Sequence, residues 1–336
     1  MGKFPKVTVV TPSLNQGQFI EETMLSVVGQ DYPNVEHVVI DGGSTDNTIE
    51  ILRCYEDKYN LIWISETDKG QSDAINKGFR LATGEITCWL NSDDTYLPGA
   101  LSIIMKHLLN HPDLDWVYGD GYWINKDGKV LGLCKSEPFD LHKIVSKGLS
   151  VVQPTAFFKR KLLRTVGYLD TSLHYTMDTD FFIRLAVMTQ GGYIPSILAT
   201  RRLHDRAKTI SDKQKFCVDR IVMLQKLYNR PDLPPDIKRQ KRSAFSSAYY
   251  GAGCAFFVVG QTRKSGEYLR KAILAETNPF RIYKIKCLLL LLQCYLRLRL
   301  YIPGQRRRKR RFPLASKDIS IRWTERNNFS SITVQK

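Results

Sequence analysis

The feature that most constrains this chain is an alternation, over its first 90 residues, between short β-branched runs and segments with helical spacing. Val7-Thr8-Val9-Val10-Thr11 is unbroken and is ended by Pro12. Residues 35–40, 61–65 and 86–90 repeat that character. The stretches between them, 18–28, 48–55 and 72–81, place apolar side chains three and four apart. Near-continuous apolar strands are those buried on both faces, as in parallel sheets. A β-α-β-α-β-α-β order predicts an α/β, Rossmann-like, mostly parallel sheet with right-handed crossovers. Such sheets bind ligands beyond the carboxyl ends of their strands. Asp41 ends the second run and Asn91-Ser92-Asp93-Asp94 follows the fourth, so both are expected at one sheet edge.

Farther on, the pattern predicts a helix over 97–109 and strands at 116–118 and 121–125, joined to 129–133 by an Asp127-Gly128 turn. A short helix at 162–166, a longer one at 178–189 and a last strand over 193–199 follow. After about residue 206 the character changes to helices at 219–228, 242–259 and 265–275 and an apolar segment at 281–302. We divide the chain into an α/β domain (1–206), a helical extension (207–303) and a basic tail (304–336) expected to be flexible.

Charge follows the same division. Residues 1–200 hold 18 basic and 24 acidic residues, a net of about −6. The remainder holds 32 and 9, about +23, within a total of +17. This asymmetry suggests modules with different partners, anionic lipid or nucleic acid for the basic one. Six consecutive basic residues stand at 306–311. No helix-turn-helix, zinc finger or aromatic stacking motif accompanies them, so no nucleic-acid partner is expected. The continuous apolar run at 288–292 is far shorter than the roughly 20 residues that span a bilayer, and Arg297 and Arg299 follow it. A basic amphipathic helix fits peripheral contact with an anionic membrane surface. The N-terminus carries no apolar signal segment, so a cytoplasmic location at the inner face is expected. The seven cysteines, odd in number and without C-x-x-C, read as reduced core residues.

Each acidic segment has a plain and a chemical reading. Adjacent carboxylates Asp93 and Asp94 repel unless a cation or donor offsets them. Mg²⁺ and Mn²⁺ favour hard oxygen ligands and share a substrate diphosphate. The plain alternative is a helix N-cap. In Asp41-Gly42-Gly43-Ser44-Thr45-Asp46, glycine lets backbone approach a ligand, and Asp41 can accept hydrogen bonds from a base or ribose. Asp46 reads as a helix cap. Asp68-Lys69-Gly70-Gln71-Ser72-Asp73 and Asn76-Lys77-Gly78 read alone as a polar loop and the helix it caps. Met177-Asp178-Thr179-Asp180 opens a helix whose apolar face is Phe181, Phe182 and Leu185. Its acids either offset the helix dipole or supply a general base.

In this order and spacing the segments resemble glycosyltransferase family 2, the inverting transferases of the GT-A fold, and bacterial surface-polysaccharide enzymes in particular. Val9-Val10-Thr11-Pro12-Ser13-Leu14-Asn15, the four acidic segments, Gln153-Pro154-Thr155-Ala156-Phe157-Phe158 and Arg202-Leu203-His204 carry the resemblance, which covers about the first 210 residues. It implies a nucleoside-diphosphate sugar donor, a glycan or lipid-linked acceptor and a divalent metal, Mg or Mn. Thr11, Pro12 and Asn15 would begin the nucleotide pocket, Asp41 would contact base or ribose, and Asp68, Asp73 and Ser92 would border nucleotide and sugar. Asp93 would ligate the metal, with Asp94 beside it and His204 approaching it. Asp178 would be the catalytic base, with Asp180 as its rival. The chain departs from the family where two acids often stand (Asp41-Gly42), where an Asp is common (Asn91) and where Glu-Asp is common (Met177-Asp178). The alternatives are a nucleotidyltransferase or a pseudoenzyme that binds sugar nucleotide without transfer and, remotely, a basic nucleic-acid-binding protein.

Overall fold

The computed structural model describes residues 4–148, 151–204, 212–276, 282–295, 320–326 and 329–335. The four leading runs form strands β1 (Val7–Ser13), β2 (Val35–Asp41), β3 (Leu61–Ser65) and β4 (Ile86–Trp89), all parallel, in the order β3-β2-β1-β4. β1 and β4 are buried throughout, as their composition requires. β3 is the sheet edge and leaves Ile62 and Ile64 partly exposed.

Helices α1 (Ile20–Val28), α2 (Thr48–Tyr55) and α3 (Gln71–Leu81) make the crossovers. α3 lies directly on β1. A Cβ on Gly78 would stand 2.3 Å from Val10 Cγ1, so glycine permits this approach where any larger residue collides.

The second half adds β5 (Thr95–Tyr96), α4 (Ala100–Asn110), β6 (Trp116–Asn125), β7 (Val130–Cys134), α5 (Leu141–Lys147), β8 (Phe157–Lys159), α6 (Leu162–Thr165), α7 (Met177–Met188) and β9 (Gly191–Leu203). The sheet continues β4-β8-β6-β9-β5, with β7 on the flank of β6. β6 and β9 are parallel, whereas β8, β7 and β5 pair antiparallel. The two strands expected at 116–118 and 121–125 are one, with register irregularities between Tyr118 and Gly121. The strand expected over 193–199 runs on to Leu203.

On one sheet face, Phe182 of α7 stacks on both Trp89 (5.6 Å) and Trp116 (5.7 Å). The same cluster takes in Ile221, Leu224 and Leu227 of α8 (Lys213–Tyr228), so the sheet and the helices after it share a core. α9 (Pro235–Arg239), α10 (Lys241–Val258), α11 (Thr262–Ala275) and α12 (Ile282–Tyr295) follow, the last three around a satellite cluster with Phe257, Leu269 and Leu290.

The tail expected to be flexible holds an antiparallel pair, β10 (Ser320–Arg326) and β11 (Phe329–Gln335). The Ile321 N–H donates to Gly128 O at 2.9 Å. Alternation of Ile321 and Trp323 with Ser320, Arg322 and Thr324 is the strand signal there. The basic run 306–311 lies outside the described residues. All seven cysteines are free, but Cys54 is exposed rather than in the core. Among the described residues no helix is long and apolar enough to cross a membrane.

His37, within β2, is fully buried. Its ring nitrogens meet Thr11 Oγ1 (2.9 Å) and the Tyr59 hydroxyl (2.8 Å). Burial pushes its pKa down to about 3, so the folded protein holds it neutral. The unfolded chain protonates it below about 6.5. Acidification below that value therefore favours the unfolded state, by about 2 kcal/mol at pH 5 on linkage arithmetic. We expect the urea midpoint to fall between pH 7 and pH 5, and to fall much less in His37→Gln. Equal pH dependence of the two proteins contradicts a buried neutral imidazole.

Candidate active site

From β1 the chain builds outward to β2 and β3 on one side, while β4 lies on the other. The loops leaving β1 and β4 therefore part and open a crevice. A cavity of about 660 Å³ occupies it, and Pro12, Asp68, Ser92, Asp93, Asp94, Asp178 and His204 of the expected residues line it. Thr11, Asn15, Asp41 and Asp73 do not.

Those four work around the cavity. Thr11 points its hydroxyl at His37 inside the sheet. Asn15 adopts φ 52° and latches two loops, its Oδ1 accepting from Thr45 N (2.8 Å) and its N–H donating to Ser44 Oγ (2.7 Å). Asp41 is fully buried, and Gly43 N, Ser44 N, Ser44 Oγ and Ser65 Oγ all donate to it. Its oxygens are spent on shaping the loop. Asp73 accepts from Lys69 N at 3.1 Å. At Gly42, a Cβ would stand 2.6 Å from Asp68 Oδ2, so any side chain there would make the Asp68 carboxylate shift.

At the end of β4, His204 Nε2 lies 3.0 Å from Asp93 Oδ2, pairing an imidazole with a carboxylate at the cavity wall. Asp94 turns inward, where Arg202 N donates to Oδ1 (2.9 Å) and Asn91 Nδ2 lies 3.3 Å from Oδ2. Burial raises the Asp94 pKa, and the charge of Asp93 raises it further. A cation relieves this repulsion, so the carboxylate–imidazole pair fits a divalent ion whose other positions are filled by ligand oxygens. Among the described residues no three of His, Cys, Asp and Glu converge as a complete ligand set. Asn91 holds the floor, its Oδ1 accepting from Gln71 Nε2 (2.8 Å) and its Nδ2 donating to Gln153 Oε1 (3.2 Å).

Asp178 and Asp180 both open α7 but differ in use. Asp180 is bound to Arg184 Nε at 2.8 Å. Asp178 lines the cavity, and Thr179 N (2.6 Å) and Thr179 Oγ1 (3.2 Å) both donate to its Oδ1. Burial raises its pKa, a little offset by these bonds and by the charge of Arg201. Asn76 holds the loop before α7, donating to Leu169 O (2.8 Å) and accepting from Leu169 N (3.0 Å).

The sequence reading missed Arg201, Trp123 and the α8 face that carries Phe216, Arg220 and Met223, all of which line the cavity. Arg201 lies 4.7 Å over the Trp123 ring. Arg202, noted earlier only as part of a segment, donates to Asp93 O (2.9 Å), Asn125 O (3.3 Å), Lys126 O (3.2 Å) and Glu22 Oε2 (2.6 Å). Two consecutive arginines at the end of the last apolar run were the available signal.

The fold and crevice are those of the GT-A glycosyltransferases. The S. aureus TarS 1–349 structure in complex with UDP-GlcNAc aligns with a TM-score of 0.64 at 16% identity, over 98% of this chain and 97% of that one. A mannosyltransferase from Pyrobaculum calidifontis, in complex with GDP-Man and Mn²⁺, aligns at 0.58 and 20% identity, over 87% and 86%. Against a longer TarS structure the TM-score is 0.62 at 20% identity, over 87% of this chain but 53% of that one. In sequence, the model of Glycosyl transferase family 2 matches residues 8–167. A PGL/p-HBAD biosynthesis glycosyltransferase of Mycobacterium bovis is 30% identical over 183 residues, 54% of this chain and 69% of that protein. The chain belongs to glycosyltransferase family 2.

Proposed function

We propose that the chain is an inverting, metal-assisted glycosyltransferase acting from a nucleoside-diphosphate sugar on a hydroxyl of a glycan or lipid-linked acceptor, in cell-surface polysaccharide or glycolipid synthesis. The observation that carries this reading is that Asp93 and Asp178 line one cavity at the switch point, from a strand end and a helix start. The donors in the solved relatives, UDP-GlcNAc and GDP-Man, and the glycolipid relative support it.

The acceptor hydroxyl gives its proton to Asp178, with Oδ2 as the oxygen not engaged by Thr179. Its raised pKa makes that carboxylate a stronger base than an exposed aspartate. The acceptor oxygen then bonds to the anomeric carbon from the face opposite the diphosphate. The carbon–oxygen bond to the diphosphate breaks, its electron pair leaves with the diphosphate, and configuration inverts. A divalent ion held by Asp93 and His204 would offset the growing charge on that leaving group. Arg202 fixes the Asp93 backbone, and Asn91 and Gln153 hold the floor beneath the donor.

Membrane contact rests on α12. Ile285, Leu288, Leu289 and Leu292 are each more than half exposed, at spacings that share one helix face. Of the occupants for such a face, an anionic bilayer suits the surplus of about 23 positive charges after residue 200.

Asp178→Asn should keep nucleotide affinity and lose on the order of 10²–10⁴ in nucleoside diphosphate release across a panel of sugar donors with acceptor. Unchanged turnover removes Asp178 as the base. Asp93→Ala should abolish the gain in UDP or GDP affinity that Mn²⁺ gives the wild type, and an undiminished gain removes Asp93 as the ligand. The full chain should sediment with phosphatidylglycerol vesicles at low salt, and Leu288→Glu/Leu292→Glu should stay in the supernatant. Equal sedimentation of both, or self-association through this face, rejects the bilayer as its occupant.

A further inference from the structure

The guanidinium groups around the cavity are neutralised in different ways. Arg202 is buried against Glu22 and three carbonyls, and Arg184 is bonded to Asp180. Arg201 sits over Trp123, with the charges of Asp94 and Asp178 in range. Arg220 has no such partner. Its Nε is sealed from solvent without a hydrogen-bond acceptor, and one Nη donates to Val145 O at 3.2 Å. Among the described residues no carboxylate pairs with it. Its neighbour on α8, Asp219, is spent on the backbone N–H groups of His174, Tyr175 and Thr176. Burial lowers the pKa of Arg220, and the Cys217 thiol offsets this in part. A partly buried cation without an anion is costly, and a ligand that supplies the anion relieves that cost.

Position indicates which ligand. Arg220 reaches the cavity from α8, beside α5 and the loop leading into α7, between Phe216 and Met223 on its own helix face. Through Asp219 that wall holds Tyr175 and Thr176, just before Asp178, and it is built apart from the β3 and β4 ends that lead to Asp68, Ser92 and Asp93. We propose that Arg220 forms a subsite for an anionic group, phosphate or carboxylate, carried by the acceptor. This rests on the transferase reading above and specifies the acceptor's class. The planar fork of arginine suits both anions, and bidentate pairing orients the acceptor as well as holding it.

The test is calorimetric titration of the whole chain at low salt with glycerol 3-phosphate, glucuronate, glycerol and glucose, and separately with UDP and Mn²⁺. Wild-type protein should bind one or both charged probes in preference to their neutral counterparts, and which one distinguishes phosphate from carboxylate. Arg220→Gln should bind the preferred probe about 10-fold or more weakly, with UDP affinity held within about 2-fold. Arg220→Lys keeps the charge without the fork and should fall between, which also serves if the Gln variant does not fold by circular dichroism. Equal binding of charged and neutral probes, or an unchanged Arg220→Gln, overturns the proposal. So does an equal loss of UDP affinity, which assigns Arg220 to the donor diphosphate. If wild-type protein binds no nucleotide yet needs Arg220 for the charged probe, the transferase reading fails and the anion site stands.

Discussion

The site depends on how α7 is seated. Phe182 stacks between Trp89 and Trp116, and Phe181 packs edge-on to Trp89 at 5.9 Å. Such ring pairs contribute about 0.5–1.5 kcal/mol each beyond the area they bury. Trp89 is the last residue of β4, so the same ring that receives α7 stands four residues before Asp93. One packing contact therefore ties the start of α7, with Asp178, to the end of β4, with Asp93. Arg184 adds a second constraint, bonding Asp180 within α7 and the carbonyls of Val166 and Tyr168 in the loop before it. Asn76 and Asp219 grip that loop from α3 and α8. Asp178, the proposed base, is thereby held from several sides and would lose little entropy on meeting an acceptor.

The first four strands were legible because burial on both faces leaves an unbroken apolar record, and their observed limits differ from the expected ones by no more than two residues. The end of β9 was not legible. Arg201-Arg202 reads locally as a solvated turn, and the distant carbonyls of Asp93, Asn125 and Lys126 together with the Glu22 carboxylate make a buried guanidinium tolerable there. The hairpin at 320–335 was hidden for a similar reason, since its polar composition masks a period-two pattern of few residues.

Among the acids, sequence located the cluster but did not distribute the work. Asp41 and Asp68 both follow strands and precede glycine within two residues. Loop curvature separates them: Asp41 lies inside its loop and collects four donors, while Asp68 spends Oδ1 on Gly70 N and stays at the cavity. Asp178 and Asp180 are separated by helix geometry. An acid two residues on points elsewhere around the axis, and Asp180 finds Arg184 one turn along on its own face.

The division at residue 206 follows composition but not the cavity. α8 supplies Phe216, Arg220 and Met223 to the wall, and its Leu224 and Leu227 join the core of the sheet. The large positive surplus after residue 200 therefore has two physical settings. On the surface, solvent screens the cations, and each is individually worth little. At Arg220, protein seals Nε and no carboxylate among the described residues pairs with the guanidinium, so one charge there weighs more on what binds than many outside. On the proposed reading, the strand ends that open from the parallel half of the sheet would serve the donor, and α8 would close the side from which the acceptor is met. Variation in that helix would then change the acceptor while the strands stay as they are.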